Sequence, residues 1–385
     1  MISMRNNQRE PLPRRRSGLV ILAGWLVAGV TGGLAGGLLS TGLAAQTADG
    51  TDTLTTTSML SSSDGSEATP WFRQTADHNK HALIITGAAA SPEIRQRFRD
   101  WSQNLYDTLL EDYGYHHAHI WLLLDDGENV GQLTGEVRGS SRVEDVREAV
   151  NELAAQAGDG DQVTVFLIGH GSATFGEAKF NNVGPDMTGN EFANMLAVLD
   201  AQDLVIINTT SSSFEFSREL SALGRVVVSA TRSPAERYDP RFGEYFITAM
   251  QGHRADLDRN GMVSVLEAFN YATGQVAEWY REQGRLATEH AVLDDNGDGM
   301  FSREPGRGQA DGLLAEIAYL DVVRADEEKT SSEALALRSQ MQSLEREVII
   351  LRNQKDDYLE QDYWNRLEAL LVELALATRR YHALP

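Results

Sequence analysis

Residues 162–172, QVTVFLIGHGS, carry a mostly apolar run straight into Gly169, His170 and Gly171. A short apolar run that stops at glycine suits a buried strand of a parallel sheet. Glycine on both sides of a histidine lets backbone and ligand approach closely. Four similar runs share the central stretch of the chain: HALIITG (81–87), HIWLLLDD (119–126), LVIINTT (204–210) and RVVVSAT (225–231). Segments with helical spacing separate them. The first, residues 91–114, has a Ser cap, Pro92 in its first turn, and Ile94, Phe98, Trp101, Leu105 and Leu109 on one face. Others cover residues 141–158, 188–200 and 216–224. Five strands alternating with helices predict an α/β domain, a mostly parallel sheet with helices on both faces. In such a sheet, functional residues gather at the carboxyl ends of the strands. His170 and the hydroxyl cluster Thr209–Ser213 both stand at such ends.

The 385 residues allow two or three folding units. A formal net charge of −22 argues against a nucleic-acid partner, whose phosphates are bound mainly by Lys and Arg, and suits divalent cations. There is no cysteine, so thiolate metal sites and cysteine catalysis are excluded.

Residues 1–46 read as an export signal or an uncleaved membrane anchor: Arg14–Arg16 precede an uncharged, Gly-rich apolar run, Ser17–Gln46. The protein is therefore expected outside the cytoplasm, periplasmic or secreted, or held to a membrane by this segment alone. Residues 47–78 are rich in Ser, Thr, Asp and Gly and read as a disordered linker. The α/β domain follows over 79–254, a region with acidic loops over 255–305, and a helical tail over 306–385. In the tail, Leu337, Met341, Leu344, Val348 and Leu351 keep a 4-3 spacing, which Leu367, Leu371 and Leu374 resume in another phase. This predicts a coiled coil or a helical hairpin, with self-association through these helices.

The order strand, His-Gly, helix, strand, polar cluster resembles the caspase and legumain-like peptidase clan, in its bacterial caspase-like subgroup. The resemblance spans residues 82–249 and rests on GHGS (169–172), on its spacing to VIINTTSS (205–212), and on AKFNNVGPDMTGNEFANML (178–196) and VVVSATRSPAERYDPRFGEYF (226–246). It implies a peptidase fold in which His170 assists a nucleophile at the next strand end. Thr210 occupies the place of the clan's cysteine, with Ser211, Ser212 and Ser213 after it. A hydroxyl lacks the anionic fraction of a thiol, so it needs a base oriented by a third group. Only Glu215 and Glu236 suggest themselves as that acid, by proximity in sequence. Residues 209–213 read more simply as the cap of a helix beginning near Phe214; Thr210 or Ser211 as nucleophile is the alternative.

DLDRNGMVSVLE (256–267) fits the calcium loop of an EF-hand at every ligand position. Asp256, Asp258 and Asn260 supply oxygens at places one, three and five, and Gly261 makes the turn. Met262 offers its carbonyl, Ser264 takes the ninth place, and Glu267 closes the loop as a bidentate ligand. A second loop, 294–305, repeats the first half with Asp294, Asn296, Asp298 and Gly299, but has Pro305 at the twelfth place. It reads as a degenerate partner of the first, able to pack the C-terminal region onto the sheet domain. His290 reads as a hydrogen-bonding residue, and His116 and His117 as turn residues.

Together these features predict an exported, calcium-binding protein of peptidase fold that binds a peptide or protein ligand without cleaving it. An active hydrolase using His170 with Thr210 or Ser211 is the alternative, and a helical assembly protein with the sheet as a spacer is the third reading.

Overall fold

The computed structural model describes residues 79–384 apart from 129, 131–132, 134, 175–176, 201, 307–308, 323–330 and 356–357. The expected signal or anchor and the linker after it lie outside these residues. No helix among the described residues is long and apolar enough to cross a membrane.

All five anticipated strands form: β1 (Lys80–Thr86), β2 (Ile120–Leu124), β4 (Gln162–Ile168), β8 (Asp203–Asn208) and β9 (Arg225–Ser229). Two short edge strands without a clear apolar signal complete the sheet: β3 (Val137–Gly139) and β10 (Val292–Asp294). The order is β10-β9-β8-β4-β1-β2-β3, parallel throughout except for β10, which runs antiparallel to β9. Successive side chains of a strand face opposite sides, so an apolar strand feeds two cores. Ile84, Phe166, Ile207 and Val228 enter one core, and Leu83, Leu167, Ile206 and Val227 enter the other.

The first core is closed by α1 (Pro92–Glu111), α5 (Phe242–Met250), α6 (Val265–Glu282) and α7 (Leu313–Ile317). The second is closed by α2 (Val143–Gln156), α3 (Gly189–Leu196) and α4 (Phe214–Arg218). The acidic-loop region is thus built into the α/β unit: it gives the sheet the edge strand β10 and gives one core the helix α6. A small antiparallel sheet of β5 (Gly171–Thr174), β6 (Glu177–Phe180) and β7 (Met187–Thr188) begins directly after His170.

The tail is a helical hairpin of α8 (Ser332–Asn353) and α9 (Glu360–Ala383). Ala334 near the start of α8 shares a cluster with Tyr381 near the end of α9, and Gln340 donates to Glu373 at 3.1 Å, so the helices run antiparallel. Leu337, Leu344, Val348 and Leu351 of the anticipated α8 stripe are buried. On α9 the inward positions include Tyr363, Ala377 and Tyr381, whereas Leu371, expected in the seam, is exposed with Trp364, Val372 and Leu376.

Candidate functional site

Strand order reverses between β1 and β4, which opens a crevice at their carboxyl ends. His170 stands there, two residues beyond the end of β4. Its carbonyl accepts from Asn181 N at 3.0 Å, which ties it to the return of the small sheet. The ring packs edge-on against Phe98 of α1 at 5.2 Å between centroids. Nδ1 meets Asp239 Oδ1 at 2.9 Å, and the other oxygen of Asp239 accepts from Arg97 at 2.7 Å. Hydrogen bonding to His170, joined by Arg97, holds the Asp239 carboxyl down at about 2, so it is an anion at any ordinary pH. An anion at Nδ1 fixes the proton of the neutral ring on that nitrogen and leaves the lone pair on Nε2. Nε2 is buried and has no hydrogen-bond partner among the described residues.

Neither Glu215 nor Glu236 serves His170: Glu215 pairs with Arg218 at 2.6 Å, and Glu236 with His290 at 2.6 Å. Asp239 was missed because proximity in sequence does not separate it from Glu236, three residues earlier in the same loop. The available signal was topological. The loop after β9 opens onto the same sheet edge as the loop after β4, and Asp239 is an acid within it.

The hydroxyl cluster is buried and internally satisfied. Thr209 Oγ1 donates to Leu167 O at 2.8 Å, and Thr210 Oγ1 donates to Asn208 Oδ1 at 2.8 Å. Ser211 Oγ donates to Gly171 O at 3.1 Å and receives Gly171 N at 3.3 Å. Ser212 sits in the left-handed region at φ 49° and donates to Pro234 O at 3.2 Å. α4 does begin at Phe214, but Ser213 makes no side-chain cap; its hydroxyl bonds Ser229 at 2.9 Å and Thr231 at 3.0 Å, locking the β8 end to the β9 end. Thr210 and Ser211 therefore lie beside Gly171, the neighbour of His170, yet no hydrogen bond joins either to the His170 ring among the described residues. Gly171 is required by this contact. A Cβ there would press into Ser211 O and stand 2.9 Å from Thr210 Oγ1.

In the first acidic loop the chain brings oxygens of Asp256, Asp258 and Glu267 within 4.8 Å of one another, the only such group among the described residues. Two oxygens on one calcium ion at about 2.4 Å are separated by no more than about 4.8 Å, so this spacing fits the ion. Gly261 takes φ +82°, and the carboxylate of Asp256 accepts Asn260 N and Gly261 N, both at 3.1 Å. Ser264 caps α6, with Glu267 reaching back to its N–H at 2.9 Å. Residues 263–265 form a short antiparallel pairing with 318–320, through Leu320 N to Val263 O at 2.8 Å and Val265 N to Ala318 O at 2.9 Å.

The second loop does not pair with the first. It closes on itself through Leu293 and Ser302, which exchange both backbone hydrogen bonds. Asp294 is buried at the end of β10, where it accepts Gly297 N and Gly299 N, each at 2.9 Å, and Ser221 Oγ at 2.5 Å. Asn296 accepts Asp298 N at 2.8 Å, and Asp298 accepts Met300 N at 2.7 Å. These carboxylates are not gathered as in the first loop.

No family model matches this chain, and no curated protein matches it. Among solved structures it is similar to protein GSU0716 from Geobacter sulfurreducens, with TM-score 0.36 and 8% identity over 56% of this chain and 92% of that one. It is also similar to a secreted C11 cysteine protease from Bacteroides thetaiotaomicron, solved with an irreversible peptide inhibitor. Here the TM-score is 0.35 and the identity 11%, over 56% of this chain and 66% of that one. Both scores are low, and neither likeness bears on the chemistry of the site.

Proposed function

We propose that this is an exported, calcium-binding protein of caspase-like fold whose strand-end site binds a peptide segment without cleaving it. The observation that carries the reading is the commitment of the hydroxyls. Thr210 Oγ1 gives its proton to Asn208, Ser211 Oγ gives its proton to Gly171 O, and both residues are almost fully buried. Gly171 N, the backbone donor that follows His170 in the chain and the kind of group that would stabilise an oxyanion, is held by Ser211 Oγ. What is left is His170 Nε2, a buried acceptor with no internal partner among the described residues, on a ring that is itself partly exposed.

Calcium would be held by Asp256, Asp258, Asn260 and Glu267 with the Met262 carbonyl and Ser264. Its role would be to fix the start of α6 against residues 318–320. Self-association would use the exposed face of α9.

The alternative, a hydrolase, draws support from one observation: the Asp239–His170 pair is the orienting arrangement that a hydroxyl nucleophile requires. The two readings separate in one experiment on the purified full chain in calcium, using a fluorescent peptide library read for both anisotropy and cleavage. Binding without cleavage, weakened by His170→Ala, is the expected result. Cleavage that His170→Ala and Thr210→Ala or Ser211→Ala abolish, and that Asp239→Asn slows with an altered pH profile, would replace the binding reading with the hydrolase.

A further inference from the structure

A second concavity lies away from the strand ends. It is a cavity of about 220 Å³ between α6, the first residue of α5 and the segment that leads into β10. Its walls are apolar: Phe242, Val276, Ala277, Ala287 and Ala291. The polar groups are few and each has a defined state. Glu289 is buried, and its two oxygens receive Arg241 N, Phe242 N and the Tyr280 hydroxyl, with Arg241 N shared between them. Three donors occupy most of the roughly four acceptor sites of a carboxylate, so Glu289 is committed to the amino end of α5 and to Tyr280 of α6. Thr273 spends its proton on Phe269 O at 2.9 Å.

Two polar groups remain. Arg303 is exposed and forms no ion pair among the described residues, so its fork of donors is free at the cavity wall. His290 is fixed at both its backbone N and its ring Nδ1 by Glu236, at 3.1 Å and 2.6 Å. With Nδ1–H donated to a carboxylate, the neutral ring presents Nε2 as an acceptor.

A guanidinium that pairs with carboxylate, an imidazole nitrogen that accepts an N–H, and an aliphatic enclosure form a specific combination. We propose that this cavity binds the carboxy-terminal residue of a peptide with an aliphatic side chain. The terminal carboxylate meets Arg303, the last amide N–H meets His290 Nε2, and the side chain fills the space lined by Val276, Ala287 and Ala291. The volume agrees with such an occupant: it is below the ~300 Å³ at which pockets for drug-sized ligands begin, and suits a single residue. Arg303 is the one Lys or Arg among the lining residues, and Glu289 directs its oxygens to the Arg241 and Phe242 N–H groups and the Tyr280 hydroxyl rather than to Arg303. The site is independent of the strand-end reading and stands whether or not His170 binds peptide. The two share one structural part, the loop of residues 231–241, which supplies Glu236 to His290 and Asp239 to His170.

The test uses N-acetyl-L-leucine and N-acetyl-L-leucinamide, which differ only in the terminal carboxylate, titrated into the full chain by calorimetry or by NMR of the ligand methyl groups. The acid is expected to bind at least tenfold more tightly than the amide. Arg303→Gln is expected to abolish that difference, and His170→Ala to leave it intact. Ala277→Phe, at an exposed helix position, is expected to block the cavity without disturbing the core, which the melting temperature checks. Equal affinity for acid and amide, absence of binding by either, or binding that survives both Arg303→Gln and Ala277→Phe would each overturn the assignment. Failure of this site alongside intact peptide binding at His170 would leave the strand-end reading untouched.

Discussion

The loops at 256–267 and 294–305 begin with the same succession of acid, acid or amide, acid or amide and glycine, but they spend their carboxylates differently. In the first, oxygens from Asp256, Asp258 and Glu267 converge on one point, and the loop leans on residues 318–320 through backbone pairing. Both first-place acids, Asp256 and Asp294, accept the N–H of the loop glycine, but Asp294 is buried at the end of a sheet strand and also takes the Ser221 hydroxyl. The twelfth place decides between them. Glu267 heads a helix and can reach back across the loop, whereas Pro305 has neither a carboxylate nor a helix to set one. Shared spacing at the start of a loop thus fixes its turn, and the closing residue fixes whether a third carboxylate joins the loop's acids.

The contrast can be broken first at Asp294. Asp294→Ala would leave the half-buried N–H groups of residues 297 and 299 and the Ser221 hydroxyl without their acceptor, at up to about 1–3 kcal/mol for each unsatisfied donor. A loss of about 3 kcal/mol or more, equal with and without calcium in urea denaturation, is expected. A loss that appears only in calcium would make the second loop a cation site.

The next test is calcium itself. At one hundred times Kd, a ligand bound only by the folded chain adds about 2.7 kcal/mol of stability. Glu267→Gln should remove most of that gain while leaving the calcium-free stability near the parent's, because Gln also serves in the capping box with Ser264. Calorimetry should count one calcium per chain. An unchanged melting temperature between calcium and chelator would remove the first loop from consideration, and two calcium ions would dissolve the difference between the loops.

The smallest effect concerns Asp311, which packs under the second loop and accepts Asp295 N at 3.3 Å. Burial, reinforced by the charges of Asp295, Asp294 and Asp298, lifts its carboxyl to about 7. A carboxyl raised on folding makes the folded state bind more protons than the unfolded one. Stability therefore rises as pH falls from above about 7 towards the ordinary Asp value near ~3.9. Asp311→Asn should flatten part of that slope in chelator and stabilise the protein above pH ~7. Calcium that flattens the slope of the parent and not of the variant would place a cation beside Asp311.

The sheet was legible because its signal is local. Each of the five main strands is an apolar run long enough to fill two cores, and the helical spacing between them leaves little freedom in how they alternate. β3 and β10 carry only three residues each, too few for a pattern, and exist because neighbouring strands offer them an edge. Leu371 was misplaced for a related reason: a 4-3 spacing can be read in more than one phase, and the partner helix selects the one that includes Tyr363, Ala377 and Tyr381.

By itself, the sequence determined the alternation of strands and helices, placed His170 at a strand end, ruled out a thiol, and put six oxygen donors at calcium-loop spacing. Those facts depend on residues a few positions apart, where covalent geometry and helical or strand period govern who is near whom. The tertiary structure alone decided that Asp239 and not Glu215 or Glu236 holds His170, that Thr210 and Ser211 direct their protons to Asn208 and Gly171, and that residues 318–320, not the second acidic loop, brace the first. Asp239 to His170 and Ser211 to Gly171 join loops that the stacking of parallel strands brings to one edge, and residues 318–320 return to the first acidic loop; Thr210 to Asn208 is local and follows from the turn that ends β8. Hydrogen-bond partners there are settled by distance in space, which separation along the chain does not encode.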